Sequence, residues 1–463
     1  MNDDNTDFMA AANITLKFRH GDGIDRIPTT WFASADPIDS FIWAHVVVMV
    51  TAFAVVFPIG MVLGLGRSRW HIPVQVLGLL LTVVGWILPS FHGGRQYLKP
   101  NVHASFAKWL LCAVVAQAAS GLYLSLRLEG PRHQTFRRIC QRWHGVAGKL
   151  MPIAGWAQMM LGGETSQGFC HGDWLPMCAG HVSMGSIMIG TGIVLVIITI
   201  DGERWIRRTG RSLDFYASAM ITASGAGNAL FEHIPGSEWN HREYSHVAFG
   251  VFWWLAGIVG LWQTRRHDQR TTIPGVVFLV TGWYFTMHEQ PNPLAKHVHE
   301  ILGRVMMSAG ALHFVEIAYV ATTTSTASDR SSSVTTVDSR PHKSPKPSEF
   351  VFSFLIIVMG VINLYAPPQT LWLFNLWGLD YISLMLIWFS IAMGIMCFTL
   401  MLVQLYRSLK FSERMRSRRR HGHQDRGSII AEEKDEDEEQ TEVYGLLGEG
   451  EGEDEDEETA HSR

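Results

Sequence analysis

The sequence is poor in charged residues for its length. Only 17% of its 463 residues are Asp, Glu, Lys or Arg, whereas 47% are hydrophobic. An average soluble domain is about 25% charged, so this deficit excludes an ordinary soluble protein. The 17 Trp and 20 Met residues favour a lipid-embedded chain with aromatic side chains at both membrane interfaces.

Three kinds of motif are also missing. No Gly-rich dinucleotide fingerprint or flavin motif is present, which argues against an enzyme that carries its own nicotinamide or flavin. No basic patch with interleaved aromatics is present, so nucleic acid is not an expected partner. Residues 1–40 lack the apolar core of a signal peptide. We therefore expect this tail either to cross the membrane with the first span or to follow a missing first exon.

Long apolar stretches dominate the remaining sequence. A helix of about 20 apolar residues crosses a bilayer, and about eleven such stretches are present. They predict an all-α polytopic membrane protein with an N-terminal four-helix bundle and a second, C-terminal helical membrane module. The predicted spans are 41–65, 72–91, 104–126, 144–162, 180–200, 212–231, 245–263, 272–288, 300–320, 350–366 and 379–406.

Lys and Arg alternate between the connections of these spans. The basic connections carry Arg67 and Arg69, Arg127 to Arg142, Arg204 to Arg211, Arg265 to Arg270 and Arg330 to Lys346. A further basic run, Arg407 to Arg420, follows the last span. Because basic loops stay in the cytosol, we expect a cytosolic C-terminus and a lumenal N-terminus.

Five cysteines are too few for a disulfide framework. Cys170 and Cys178 share one predicted lumenal loop, GETSQGFCHGDWLPMC, and lumenal compartments are oxidising. We therefore predict a disulfide between them. Cys112, Cys140 and Cys397 lie in spans or in a cytosolic loop and are expected to be free thiols.

Four histidines stand at the predicted starts of the first four spans. His45 and His103 open spans entered from the lumenal side, whereas His71 and His144 open spans entered from the cytosolic side. Each face of the membrane thus receives one pair. Two imidazoles from facing helices can ligate a haem iron axially, although interfacial histidines without any ligand are the simpler interpretation of each residue alone.

The segments WAHVVVM, WHIPVQ, HASFAKW and WHGVAGK together resemble the four-helix core of cytochrome b-561 proteins. The resemblance covers roughly residues 40–165. It implies two b-type haems, a lumenal one held by His45 and His103 and a cytosolic one held by His71 and His144. Arg67 matches that family's basic residue at the cytosolic end of the first helix.

The whole chain is similar to a narrower group, the fungal yeast-putative-transmembrane-protein (Ytp-type) family. The matching segments are FEHIPG, YSHVAFGVFWW, TGWYFTMHEQ and HVHEILGRVM. The resemblance implies a cytochrome-like N-terminal module joined to a second membrane module.

That second module has its own histidines, which are predicted at the lumenal face except His313, which lies deeper in the ninth predicted span, one helical turn from Glu316. Imidazole and carboxylate side chains together suit zinc, iron or copper. A second haem-type bundle, and polar residues without any ligand, remain open alternatives. The motif H-x-x-x-G recurs here, and its glycine leaves room for a bulky group or for a close helix contact. The predicted metal ligands are His181, His233, His246, His288 and His299.

Composition divides the chain into six parts. Residues 321–348 are rich in Ser and Thr and are expected to form a disordered cytosolic linker. The tail, residues 407–463, turns from basic to acidic and is also expected to be disordered. Within the tail, Glu442, Leu446 and Leu447 form an acidic dileucine sorting motif that indicates a vacuolar or endosomal membrane, with the plasma membrane as the alternative. The predicted parts are 1–40, 41–165, 166–320, 321–348, 349–406 and 407–463.

The sequence thus favours transmembrane transfer of single electrons through two b haems. The expected acceptor is a lumenal ferric or cupric ion, and the expected donor is a small diffusible reductant such as ascorbate. As an enzyme, the chain would be a ferric or cupric reductase. The alternatives are a haem-free transporter or structural membrane protein, and a membrane protein that binds metal only through its second histidine set.

Overall fold

The computed structural model describes residues 38–421, with gaps at 94, 127, 129, 173–174, 234–238, 240, 267–268, 289, 291–292 and 331–346. Throughout this described part the regular structure is helical, which confirms the predicted all-α fold. Residues 1–37 and 422–463, which include the predicted sorting motif and the whole acidic part of the tail, lie outside the described residues.

Four helices form the N-terminal module. Helix α1 contains a π-helical segment, Thr51–Val56, and a 3₁₀ turn, Leu88–Phe91, follows α2. The four helices are α1 (Ser40–Leu65), α2 (His71–Ile87), α3 (Val102–Ser125) and α4 (Pro131–Gln167).

Nine helices follow in the described C-terminal part. A second π-helical segment, Ile198–Gly202, connects the first two of them. The nine are α5 (Leu175–Ile197), α6 (Glu203–Thr209), α7 (Leu213–Phe231), α8 (His241–Gln263), α9 (Ile273–Met287), α10 (Pro293–Arg330), α11 (Pro347–Tyr365), α12 (Pro368–Leu376) and α13 (Tyr381–His421).

Eight of the described helices are long and apolar enough to cross a bilayer: α1, α2, α3, α5, α8, α10, α11 and α13. The other three predicted spans coincide with α4, α7 and α9, which are helical but less apolar or, for the 15-residue α9, shorter. The chain is therefore a multi-pass membrane protein, and its helices lie in a lipid bilayer.

Polar side chains fix where several helices begin. Asp39 accepts a hydrogen bond from the backbone N–H of Ile42 at 2.9 Å, and Asn101 accepts one from Ala104 at the same distance. Both bonds satisfy a backbone donor that has no partner within its own helix. At the other end of α4, Gly168 adopts a left-handed conformation with φ 76° and stops the helix.

Three helix boundaries differ from the predictions. Helix α10 continues to Arg330 through the first ten residues of the predicted linker, because no Pro or Gly interrupts residues 311–330. Helix α13 continues to His421 through the predicted disordered basic run, since Leu409 packs against Gly66. Helix α4 starts at Pro131, so His144 lies well inside it instead of opening it.

The helices pack as antiparallel pairs. In the N-terminal module α1 packs with α2, and α3 packs with α4. In the C-terminal module the pairs are α5 with α11, α7 with α8, and α9 with α10. Glycines form the seams of these last three pairs, since a Cβ atom added at Gly185, Gly250 or Gly303 would collide with the backbone of the partner helix.

The last helix joins the two modules. Helix α13 packs against α5 and α11 of the second module and against the end of α1 in the first. Its Glu413 pairs with Arg67 at 3.0 Å. On the other side of the boundary, Trp156 of α4 donates a 2.9 Å hydrogen bond to Ser186 of α5. The two modules therefore share a packed interface.

Candidate functional site

The four predicted haem histidines form two pairs of facing rings. His45 and His103, here called pair A, have ring centroids 6.1 Å apart and ring planes at 87°. His71 and His144, pair B, have centroids 6.2 Å apart and planes at 88°. Each pair joins one helix of the α1–α2 hairpin to one helix of the α3–α4 hairpin. These are the pairs that the sequence predicted.

The ring spacing matches that of two imidazoles on opposite sides of one metal ion. A metal–imidazole bond is about 2.0–2.1 Å long, so the centroids of two opposed ligands lie about 6.3 Å apart. Both pairs are within about 0.2 Å of this value. Packing of two uncoordinated rings would favour centroids 4.5–7 Å apart without selecting this distance.

One nitrogen of each ring is committed to the protein. His45 donates from Nδ1 to the carbonyl oxygen of Gly85 at 2.6 Å, and His71 donates to that of Gly60 at 2.7 Å. His103 donates in the same way to the carbonyl oxygen of Gln158 at 3.1 Å, and the side-chain amide nitrogen of Gln158 lies 3.4 Å from its Nε2. A carbonyl oxygen only accepts, so Nδ1 carries the proton and the ring lone pair lies on Nε2.

His144 is oriented by a hydroxyl group. Ser120 donates its hydroxyl proton to the carbonyl of Gln117 at 2.9 Å, and its oxygen lies 3.1 Å from Nδ1 of His144. The oxygen can then accept from that nitrogen. All four rings are thus held in the tautomer that a metal-bound histidine needs, by the kind of partner that fixes such ligands.

Two glutamines bind the backbone of the histidines. Gln117 of α3 donates to the carbonyl of His144 at 2.9 Å, and Gln158 of α4 donates to the carbonyl of His103 at 3.1 Å. Each glutamine stands fourteen residues after the histidine of its own helix. The spacing H-x₁₃-Q, present in both helices, is the signal that the sequence reasoning missed.

Glycines make room for the rings. A Cβ atom at Gly162 would lie 3.0 Å from the ring of His103, and one at Gly121 would lie 3.1 Å from the ring of His144. A Cβ atom at Gly64 would lie 2.8 Å from Nδ1 of His71. Three of the four imidazoles therefore lie against a glycine. A larger residue at that glycine position would displace the ring.

Four of the five predicted metal ligands line one cavity of about 80 Å³ in the second module. His181 and His246, pair C, have ring centroids 6.2 Å apart and planes at 64°. His288 and His299 also face each other there, with centroids 6.5 Å apart. These histidines come from α5, α8, the end of α9 and α10, so the cavity lies where three helix pairs meet.

The fifth predicted ligand, His233, is not brought together with the other four. Its ring stacks on Trp239 at 3.9 Å, and its Nδ1 lies 2.9 Å from Glu243. It belongs to the connection between α7 and α8 and is not among the residues that line the cavity. Proximity in sequence to Glu232, which does line the cavity, made His233 look equivalent to the others.

The glycines of the recurring H-x-x-x-G motif serve close helix packing. Gly185 contacts Gly360, Gly250 contacts Ala229 and Gly303 contacts Gly282, all through the backbone. Of the two roles that the sequence left open, the structure therefore shows the helix contact. A second glycine eleven residues after each histidine extends the motif to H-x₃-G-x₆-G at His144, His181, His246 and His299.

Cys170, in the loop after α4, is bonded to Cys178, in the first turn of α5. The carboxylate of Glu164 lies 3.3 Å from the sulfur of Cys170 and 3.7 Å from that of Cys178. Among the described residues this is the one group of three His, Cys, Asp or Glu donor atoms within 4.8 Å of one another. The sulfur–sulfur bond removes both thiolates that a metal ion would require.

A partly buried ion-pair network joins α7, the connection before α9, and α10. Arg270 pairs with Asp214 at 2.7 Å and with Glu316 at 3.0 Å, and His313 donates to the carbonyl of Thr271 at 3.1 Å. The network borders a largely apolar cavity of about 540 Å³. Sequence reasoning noted His313 and Glu316 but not their partners, which are more than 40 residues away.

Two family models match the chain. One, described as "Domain of unknown function (DUF2427)", matches residues 25–127. The other, described as "Protein YTP1-like, C-terminal", matches residues 154–407, more than half of the chain. The chain belongs to the YTP1-like family. The boundary between the two matches falls within α4, whose residues serve both modules.

Two fungal proteins are similar to the chain. Protein YTP1 of Saccharomyces cerevisiae is 32% identical over 174 residues, which cover 37% of this chain and 37% of that protein. The uncharacterized membrane protein C3B8.06 of Schizosaccharomyces pombe is 20% identical over 400 residues, covering 59% and 78%. The alignment with the first thus spans little more than a third of its length. No solved structure matches the chain.

Proposed function

We propose that this YTP1-like protein transfers single electrons across the membrane through two b-type haems, one at pair A and one at pair B. The observation that carries the proposal is the geometry shared by the two pairs. Rings from separate helix hairpins face each other at 6.1 and 6.2 Å, and each ring is locked through Nδ1. Four unrelated interfacial histidines would not adopt one arrangement twice.

The residues present fit two bis-histidine haems. Each histidine offers Nε2 as its ligand atom. The carbonyl or hydroxyl group that accepts from Nδ1 raises the basicity of Nε2. The α1–α2 and α3–α4 hairpins contact each other mainly through α4, the π-helical segment and the second half of α1. A flat group held between the hairpins would therefore complete the bundle, as cofactors do in other helix bundles.

The two pairs lie at different depths in the membrane. In each of the four helices, one residue hydrogen-bonds to a histidine of the other pair. That residue stands fourteen or fifteen positions after the helix's own histidine. Fourteen residues of α-helix rise about 21 Å, which is shorter than the hydrocarbon thickness of about 30 Å. Haem iron, when bound, would supply reversible one-electron chemistry, and these histidines would hold one such centre toward each surface.

The proposed direction follows from loop charge, which places pair A toward the lumen and pair B toward the cytosol. The donor would then be a small cytosolic reductant such as ascorbate, and the acceptor a lumenal ferric or cupric ion. The dileucine motif favours a vacuolar or endosomal membrane for this reaction. A ferric or cupric reductase is the enzyme class that this arrangement supports.

Single-site variants test the two-centre arrangement. The purified His71→Ala protein should retain the pair A haem and lose the pair B haem, so its haem content should fall to about half of that of the wild type. His103→Ala should do the reverse. If either variant stays folded and loses both haems, or loses neither, the assigned pairs are wrong.

A second candidate function is transport of a small solute without haem. The observation that favours it is the cavity of about 540 Å³ beside Asp214, Arg270 and Glu316. Ionisable residues at membrane depth mark substrate pathways in transporters. Solute uptake into vesicles that contain a colourless, folded protein would support this function against electron transfer.

A further inference from the structure

We propose that pair C holds a transition-metal ion as such, without a porphyrin, inside the second module. His181 and His246 would be its protein ligands. This site is separate from pairs A and B, and it does not depend on whether those pairs hold haem.

The first argument is ring spacing. The centroids of His181 and His246 are 6.2 Å apart, as in pair B, and two imidazoles on opposite sides of one ion are expected about 6.3 Å apart. The two histidines come from α5 and α8, which belong to different helix pairs. Neither local sequence nor the packing of one hairpin therefore imposes this distance.

The second argument is the orientation of each ring. Nδ1 of His246 lies 2.6 Å from the carboxylate of Glu232, and Nδ1 of His181 donates to the carbonyl of Met177 at 2.8 Å. A carboxylate behind a histidine is the arrangement that orients ligands at many metal centres. Both bonds place the ring lone pair on Nε2. Asn228 binds the carbonyl of His246 at 2.8 Å, as Gln117 binds that of His144.

The third argument is the size of the site. The cavity has a volume of about 80 Å³, room for an ion with two or three water molecules at about 30 Å³ each. A porphyrin needs several times this space.

The ligand set favours a late first-row ion. Neutral imidazole suits zinc, copper, iron and nickel, and two opposed nitrogens with open positions suit a tetragonal ion such as Cu²⁺. Within the described residues no group of three His, Cys, Asp or Glu donors forms here. The remaining positions are therefore open to water or to a ligand. The facing rings of His288 and His299 supply further imidazole in the same cavity.

The test uses the full-length purified protein. After treatment with a chelator it is titrated with Cu²⁺, and electron paramagnetic resonance reports nitrogen ligands to the copper. We expect about one tightly bound Cu²⁺ per chain, with 10- to 100-fold weaker binding in His181→Gln, His246→Gln and Glu232→Gln.

His233→Gln and His297→Gln are matched controls, since both residues are histidines of the same module that lie outside the cavity. They should bind Cu²⁺ as the wild type does. Folding is checked by size exclusion and thermal unfolding, and any haem at pairs A and B gives a second check. A colourless protein whose copper binding depends on His181 would contradict the proposed function and leave this inference intact.

Two results would overturn the inference. One is copper binding that is equally strong in the wild type, His181→Gln and His246→Gln, or absent from all three while they remain folded. The other is a third haem that disappears in His246→Gln, which would show that pair C holds a porphyrin iron instead of an ion.

Discussion

His45 and Gly60 lie on the same helix, and each contacts the neighbouring helix at the level of a different histidine pair. His45 donates to Gly85, which stands fourteen residues after His71, and Gly60 accepts from His71. Gly60 stands fifteen residues after His45. The π-helical segment Thr51–Val56 between them absorbs the extra residue.

The first prediction concerns this segment. Deleting Val55 should convert the π-helical turn to regular α-helix and leave His45 and Gly60 in register, so both haems should be retained. Deleting Val83 of α2, also exposed but within regular α-helix, should rotate Gly85 by about 100° away from His45. Haem content of the two purified variants checks this. Equal loss of haem from both deletions would contradict the role given to the π-helical segment.

A second prediction uses two adjacent glycines. Gly162→Val should push against the ring of His103 and lower haem occupancy at pair A about tenfold. Gly163→Val carries the same helix-propensity change, but no atom lies within 4 Å of a Cβ atom there. Its reduced-minus-oxidised spectrum should match the wild type. Indistinguishable spectra for the two variants would show that contact with His103 does not matter.

The third prediction tests how His144 is oriented. Ser120→Ala removes the acceptor at Nδ1 and should weaken haem binding at pair B by 10- to 100-fold, or shift its reduction potential. Ser125→Ala is the control, because that hydroxyl bonds only the carbonyl of Leu122 in its own helix. A redox titration of each protein gives the comparison. A Ser120→Ala protein with unchanged occupancy and potential would remove Ser120 from the site.

A fourth prediction concerns stability. Asp214 is buried, and Arg270→Met would leave its carboxylate without a cationic partner, at a cost of about 3–5 kcal/mol. The triple variant Asp214→Asn, Glu316→Gln and Arg270→Met should recover most of that loss, because neither carboxylate partner of Arg270 then remains charged. Thermal unfolding in detergent measures both. A single variant as stable as the wild type would mean that the pair contributes nothing.

Part of this arrangement could be predicted from sequence because it depends on periodicity and local chemistry. The spans follow from apolar length, and alternating loop charge sorted His45 with His103 and His71 with His144. The structure brings together the same pairs. Four of the five histidines assigned to the second cluster also converge, since all lie at helix ends on one side of the bundle.

The remainder depends on contacts between distant segments. Nothing local to His45 indicates that its ring bonds the carbonyl of Gly85, and nothing near Asp214 points to Arg270, 56 residues away. The continuation of α10 and α13 beyond their predicted ends also escaped prediction. Polar composition indicated disorder there, whereas the absence of Pro and Gly permitted helix.

The central claim is that pairs A and B bind haem, and a haem count on the purified wild-type protein tests it most directly. We predict about two b-type haems per chain, with two resolved components in the reduced-minus-oxidised spectrum. A folded, monodisperse preparation made with ample haem supply that remains colourless would contradict the claim.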